Sequence, residues 1–265
     1  MSEFYFVESE PFYSPQGNEI EVFESAWHSR IPVMLKGPTG SGKTRFIEYM
    51  CWRLKLPLVT VSCHEDMTGT DLLGRFLLDQ DRTKWIDGPL TMAARSGSVC
   101  YLDEIVEARQ DTTVVIHSLT DDRRLLSIEK KGELLRAHEN FFLVVSYNPG
   151  YQSILKDLKE STKQRFLGID LNYPKPELEL SVIAHESGVN NRVAETLVKV
   201  GELSRNLVGK GVKEGASTRC LIAAGKMISR GFSLDQACQT AVANVISDDL
   251  EIRSGLMHAI RALPQ

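Results

Sequence analysis

The stretch "GPTGSGKT", Gly37 to Thr44, decides the fold. It fits G-x-x-x-x-G-K-[ST] in full, follows the apolar run "IPVMLKG" and opens the helical run "KTRFIEYMCWRL". Strand, glycine-rich turn and helix in that order define a phosphate-binding loop. The glycines let backbone N–H groups turn inward onto phosphate oxygens, and the helix N-terminus adds its positive end. Gly37, Pro38, Thr39, Gly40, Ser41 and Gly42 form the cradle. Lys43 reaches the β- and γ-phosphates, and the Thr44 hydroxyl is offered to Mg²⁺. The expected cofactors are therefore ATP and Mg²⁺. A chance glycine turn would not arrive with both flanking elements in place.

Four further apolar runs lie downstream: "LPLVTVSC", "SVCYLDE", "FFLVVSYN" and "FLGIDLN". Several are continuous rather than alternating, as a parallel sheet covered on both faces requires. Helical segments between them make the class α/β with a five-stranded parallel sheet. "LLSIEKKGELLRAH" reads as an inserted β-hairpin around a Lys-Lys-Gly turn, with a helix extension as the alternative. Beyond Pro174 and Pro176 the pattern is helical throughout, with glycines at 188, 209 and 231 as stop signals. The expected division is residues 1–172 as the nucleotide-binding core and 173–265 as an all-helical lid.

Two acids, Asp103-Glu104, end "SVCYL". Asp103 fits the second Mg²⁺ anchor, and Glu104 the general base that polarises the attacking water. Two acids in a surface turn are the plainer alternative, but a strand this apolar belongs in the sheet centre, with its carboxyl end facing the phosphate loop. Asn148 closes "FFLVVSYN" on the same sheet edge and is suited to orienting that water; as an Asn-Pro turn former it would have a purely structural use. Arg165 follows a helical segment, where a cation is favourable in any case. Arg219 stands in the first turn of a helix capped by Ser217 or Thr218, where a cation opposes the dipole. A bound phosphate would resolve that conflict.

Composition narrows the classes. The net charge is −4, with 42% apolar and 25% charged residues, so a basic nucleic-acid binder is disfavoured. Five scattered cysteines suggest neither a disulfide framework nor a zinc site, and read as small core residues. "MSEFYFVESE" lacks a signal peptide's basic start, and no apolar run approaches a membrane span. A cytoplasmic protein with no membrane or nucleic-acid partner is expected.

The set resembles the AAA+ ATPases over nearly the whole chain: Walker A at Gly37–Thr44, Walker B at Asp103-Glu104, sensor 1 at Asn148, an arginine finger at Arg165 and sensor 2 at Arg219. The resemblance implies a ring, usually a hexamer, in which Arg165 acts on the neighbouring subunit's nucleotide. A finger supplied in trans is worth about 10³–10⁵ in rate in the analogous GTPases. The "GPL" turn at Gly88–Leu90, the hairpin before Asn148 and the compact size resemble the MoxR-type group. "GPTGSGKTRFIEYMCWRLKLPLVTVSCHEDMTGTDLLGRF" is similar to its CbbQ/NirQ/NorQ/GvpN subfamily. That resemblance implies a motor working with a CbbO-type partner bearing a von Willebrand factor A domain to activate Rubisco by freeing inhibitory sugar phosphates. The NirQ and NorQ relatives imply a nitrite or nitric oxide reductase as client instead. A small-molecule P-loop kinase is the reading from another class, and a nucleotide switch without hydrolysis a further one, against which Glu104 argues.

"GRFLLDQDRTKWIDGPL" carries an insertion after the second strand. Phe76, Leu77 and Trp85 are candidates for an apolar partner contact, with Trp85 packing on the adjacent helix as the equal alternative. Tyr13 and Phe4 are the upstream rings available to stack on adenine.

Overall fold

In the computed structural model, residues 5–79, 82–149 and 158–263 are described. Nine strands lie among them: β1 (Val33–Lys36), β2 (Leu58–Ser62), β3 (Gly74–Asp79), β4 (Arg82–Asp87), β5 (Val99–Asp103), β6 (Leu125–Ile128), β7 (Glu133–Arg136), β8 (Phe142–Tyr147) and β9 (Leu167–Asp170). The five runs expected to be strands form one sheet in the order β2-β5-β8-β1-β9. Every pairing in it is parallel, with Val33 opposite Val144 and Leu167, and Cys100 opposite Val59 and Leu143.

Strand side chains alternate between faces, and here both faces are covered. Val33, Leu35, Val99, Tyr101, Phe142 and Val144 join Phe23, Phe46, Ile47 and Met50 in one core. Met34, Cys100, Leu102, Leu143 and Val145 face the other way, against Leu90, Ala93, Ala94 and Ile116. Each fully buried Leu, Val or Phe contributes about 1.5–3 kcal/mol by leaving water. The double cover is why the runs are continuously apolar. Tyr5 adds an isolated antiparallel bridge to Leu58 beside β2.

β6 and β7 pair antiparallel around a short 3₁₀ turn, Glu129–Lys131, with Gly132 at φ +66°. The hairpin is present and the helix extension is not. The insertion after β2 is a second hairpin, β3–β4, which pairs Phe76 with Trp85. It leads into the helix Pro89–Ser96 through the "GPL" turn, with Pro89 in the first helical turn. A Cβ at Gly88 would overlap the Leu72 carbonyl, so this close approach requires glycine.

By contacts the chain divides into Met1–Gly37 with Gly42–Leu171, and Pro38–Ser41 with Asn172–Gln265. The described residues of the second unit hold helices Pro176–Ser187, Asn191–Arg205, Thr218–Ile228 and Leu250–Arg261. Between the last two, Leu234–Cys238 runs through a π-helical turn, Gln239–Ala243, into Asn244–Ile246. Caps at Asn190, Ser217, Ser233 and Asp249 satisfy first-turn N–H groups. Two helices stop earlier than their glycines suggest. Asn191–Arg205 ends before Gly209, which with Gly211 takes positive φ in a turn closed by a Val208–Val212 bridge. Thr218–Ile228 ends before Gly231. Ile183, Leu197, Leu221, Val242, Leu256 and Ile260 form this unit's own core.

Candidate nucleotide site

The phosphate loop leaves β1 and opens the helix Lys43–Leu54. Gly37 N–H donates to the Tyr147 carbonyl at 3.3 Å, tying the start of the loop to the end of β8. Gly40 and Gly42 take φ of +71° and +97°, conformations that cost a side-chain-bearing residue strain. The Lys43 ammonium is buried and donates to the Gly37 carbonyl at 2.8 Å. The Ser41 hydroxyl oxygen is buried with no hydrogen-bond partner. A buried hydroxyl without a partner at Ser41 suits a phosphate acceptor, and so does the folded-back Lys43 ammonium.

Asp103 ends β5 as expected, beside the end of β8. Tyr101, two residues earlier and so on the same face, is fully buried and donates from its hydroxyl to Asp103 Oδ1 at 2.7 Å. The same hydroxyl is hydrogen-bonded to Thr44. One phenol thus joins the two residues suited to holding Mg²⁺, which fits a hard cation with oxygen ligands there. Burial is the main cause pushing the Tyr101 hydroxyl far above its ordinary range, with the Asp103 charge next. It stays a neutral donor. The nearby Cys63 thiol is pushed up to about 12 by burial and by Asp103 and Glu104, so it is inert.

Glu104 is exposed and left-handed, at φ +57° and ψ +46°. Such a backbone costs a non-glycine residue on the order of 1–3 kcal/mol and marks functional positions. Its N–H donates to the Ser146 hydroxyl at 3.1 Å. Asn148 follows β8 and is buried. Sequence reading missed Tyr101 and Ser146. The signal was there: each is a polar group in an apolar strand, two positions before a recognised site residue.

Arg165 lies past the short helix Glu160–Lys163, exposed, with Nη1 donating to the His117 carbonyl at 3.3 Å. The His117 ring meets the Thr162 hydroxyl at 2.7 Å. Burial, then Arg165 and Lys159, hold His117 below its ordinary value.

Within the second unit, Ser217 is the cap of the helix carrying Arg219, which is exposed in the first turn. A Cβ at Gly40 would stand 2.6 Å from Ser217 Cβ and 3.6 Å from Arg219 Cβ, so Arg219 belongs beside the loop turn. Thr39 N–H donates to the Glu214 carboxylate at 3.0 Å, and the Tyr173 hydroxyl to the Thr39 carbonyl at 3.4 Å. Beneath the helix start, Arg205 makes a bidentate pair with buried Glu179, at 2.6 and 2.8 Å. Thr218 donates to the same carboxylate at 2.6 Å, and the guanidinium lies 4.0 Å from the Tyr173 ring centre. None of these supporting residues was legible as a site residue, because the buried pair joins helices 26 positions apart.

Tyr13 donates to Glu19 at 2.6 Å and its ring packs against Phe46 and Tyr49. Phe4 lies outside the described residues. Trp85 is half-buried against the core, in edge contact with Phe76 at 5.0 Å, while Phe76 and Leu77 are exposed. A cleft of about 350 Å³, lined by Leu73, Trp85, Val114, Val115, Ile128 and Lys130 among others, separates the two hairpins. Cys51, Cys63, Cys100 and Cys238 are buried and unpaired, and Cys220 is partly so. Among the described residues no cluster of His, Cys, Asp or Glu has metal-holding geometry, and no helix is long and apolar enough to cross a membrane.

Fold and site together define an AAA-type P-loop ATPase. The AAA domain family (dynein-related subfamily) matches residues 32–166, and the CbbQ/NirQ/NorQ C-terminal family matches residues 179–263. The chain is 58% identical to Protein CbbQ of Hydrogenophilus thermoluteolus, over 98% of this chain and 97% of that one. It is 52% identical to the denitrification regulatory protein NirQ of Pseudomonas aeruginosa, over 94% and 96%. A RuvB mutant from Thermotoga maritima shares the fold at 16% identity, with a TM-score of 0.57 over 96% of this chain and 74% of that one. The chain belongs to the CbbQ/NirQ/NorQ family of AAA ATPases.

Proposed function

We propose that this ATPase is a ring-forming motor, hexameric when assembled, that remodels a client enzyme. The client is Rubisco, freed of inhibitory sugar phosphates together with a CbbO-type partner bearing a von Willebrand factor A domain. The observation that carries this reading is the 58% identity to Protein CbbQ across nearly the whole of both chains. A nitric oxide or nitrite reductase is the second reading, favoured by 52% identity to NirQ.

For the hydrolytic step, Lys43 and the loop N–H groups hold the phosphates, and Thr44 with Asp103 holds the metal. Mg²⁺, held by Thr44 and Asp103, would supply positive charge that offsets the negative charge of the phosphate oxygens. Glu104 takes the proton of the attacking water, and Asn148 orients that water. Arg219 in the same chain and Arg165 from the neighbouring subunit offset the charge that develops on the phosphoryl oxygens. A small-molecule kinase would not need Arg165 from a neighbour.

The deciding experiment mixes sugar-phosphate-inhibited Rubisco with the partner, ATP and this protein. Recovery of carboxylation should require all three additions. Equal recovery without this protein would sink the client reading. A pull-down from the host that returns a reductase instead would establish the second.

A further inference from the structure

We propose that Ser146 is a positioning residue for ATP hydrolysis: one hydroxyl holds both the metal-binding carboxylate and the backbone of the catalytic base. It rests on the roles given above to Asp103 and Glu104. Ser146 is fully buried on β8, facing the end of β5. Its hydroxyl donates to Asp103 Oδ1 at 2.5 Å and accepts the Glu104 N–H at 3.1 Å. The Tyr101 hydroxyl lies 3.1 Å from it and donates to the same Asp103 oxygen. One donated bond pins the carboxylate and one lone pair accepts from the main chain, while the phenol gives its single proton to the same carboxylate oxygen.

The consequence lies in Glu104. Its left-handed backbone is unfavourable for a residue with a side chain and persists where neighbours over-determine it. Ser146 is the neighbour that takes its N–H. The hydroxyl therefore sets where the Glu104 carboxylate leaves the chain, while Asp103 Oδ1 is tied back by two hydroxyls. Ser146 also stands two residues before Asn148 on the same strand. The strand that carries the water-orienting amide thus carries the support of the base and the metal ligand.

The test uses the full chain with Ser146→Ala, Ser146→Thr, Tyr101→Phe and Glu104→Gln. Misplacing a catalytic group by about 1 Å costs on the order of 10²-fold, so Ser146→Ala should lower kcat by about 10- to 100-fold. The KM for ATP and the affinity for ADP should stay at wild-type values, and more Mg²⁺ should be needed for half-maximal turnover. Without nucleotide, hydrogen exchange at the Glu104 amide should quicken. Ser146→Thr, which returns a hydroxyl, should recover most of the turnover and slow that exchange again. Tyr101→Phe should raise the Mg²⁺ requirement but leave Glu104 exchange slow. Wild-type kcat and slow exchange in Ser146→Ala would overturn the inference, as would a proportional loss of ADP affinity and thermal stability. Wild-type turnover in Glu104→Gln would sink the base assignment instead. Loss of turnover in Glu104→Gln with none in Ser146→Ala would sink the role of Ser146 alone.

Discussion

Trp85 donates its indole N–H to Asp87 at 2.7 Å, and Arg95 takes the other oxygen of that carboxylate at 2.8 Å. Arg95 also reaches Glu133 on β7 at 2.6 Å, and Lys131 pairs with Glu133 at 2.7 Å. Arg95 and Lys131 push the Glu133 carboxyl down to about 2. A chain of polar contacts thus runs from the tryptophan of one hairpin to the turn of the other. Its members are partly exposed, so each contact contributes modestly and the gain is in orientation.

The tryptophan's packing role separates it from its exposed neighbours. Trp85→Ala removes core contact and leaves Asp87 with Arg95 alone, so thermal denaturation should show a loss of about 3–5 kcal/mol at most. Leu77→Ser should stay within about 0.5 kcal/mol, because Leu77 is exposed. If Leu77→Ser loses partner binding while keeping its melting temperature, Leu77 is a contact residue. Equal losses of stability in both variants would contradict the packing described.

Glu179 is the buried anchor of the helical unit. Glu179→Ala strands the Arg205 guanidinium and the Thr218 hydroxyl. Removing one partner of a buried pair costs about 3–5 kcal/mol. Denaturant unfolding should show that loss, and Arg205→Lys should fall between it and wild type, since an ammonium cannot repeat the bidentate geometry.

His117 makes stability depend on pH. Its folded-state value is lowered from 6.5, so the unfolded chain takes the proton first as pH falls. The stability is fully present above the ordinary value and is lost as pH falls through the lowered one. Melting curves at about pH 7.5 and about pH 5.5 should show a smaller drop for His117→Gln than for wild type. An unchanged drop would remove His117 as a cause.

Gly40→Ala tests the loop turn. The φ of +71° and the approach to Ser217 both oppose a methyl group. Strain of about 1–3 kcal/mol corresponds to roughly a 5- to 150-fold loss of ADP affinity by calorimetry if the loop must keep this shape to bind. Ser41→Ala should weaken binding less, since it removes one hydroxyl without straining the backbone.

Much of the candidate nucleotide site was legible because local chemistry dictates it. A phosphate loop needs its glycines, lysine and hydroxyl in consecutive positions, so Gly37–Thr44 could be read whole. Apolar runs ending in Asp103 and Asn148 located the sheet's carboxyl edge. The hairpin at Leu125–Arg136 carried a glycine turn, whereas the sequence between β3 and β4 contains no glycine, and the segment passed as a plain insertion. Helix ends at residues 209 and 231 were misplaced, because glycines in turns resemble glycines at caps.

Consecutive residues could thus announce the loop, the sheet class and the two acids, since each depends on neighbours one to four positions away. Tyr101 joining Thr44 to Asp103, Ser146 holding Glu104 in a left-handed turn, and Arg205 under the Arg219 helix are different in kind. Each is a buried hydrogen bond between distant segments. Such bonds form where the fold removes water and leaves a donor facing an acceptor, a condition set by packing in three dimensions rather than by spacing along the chain.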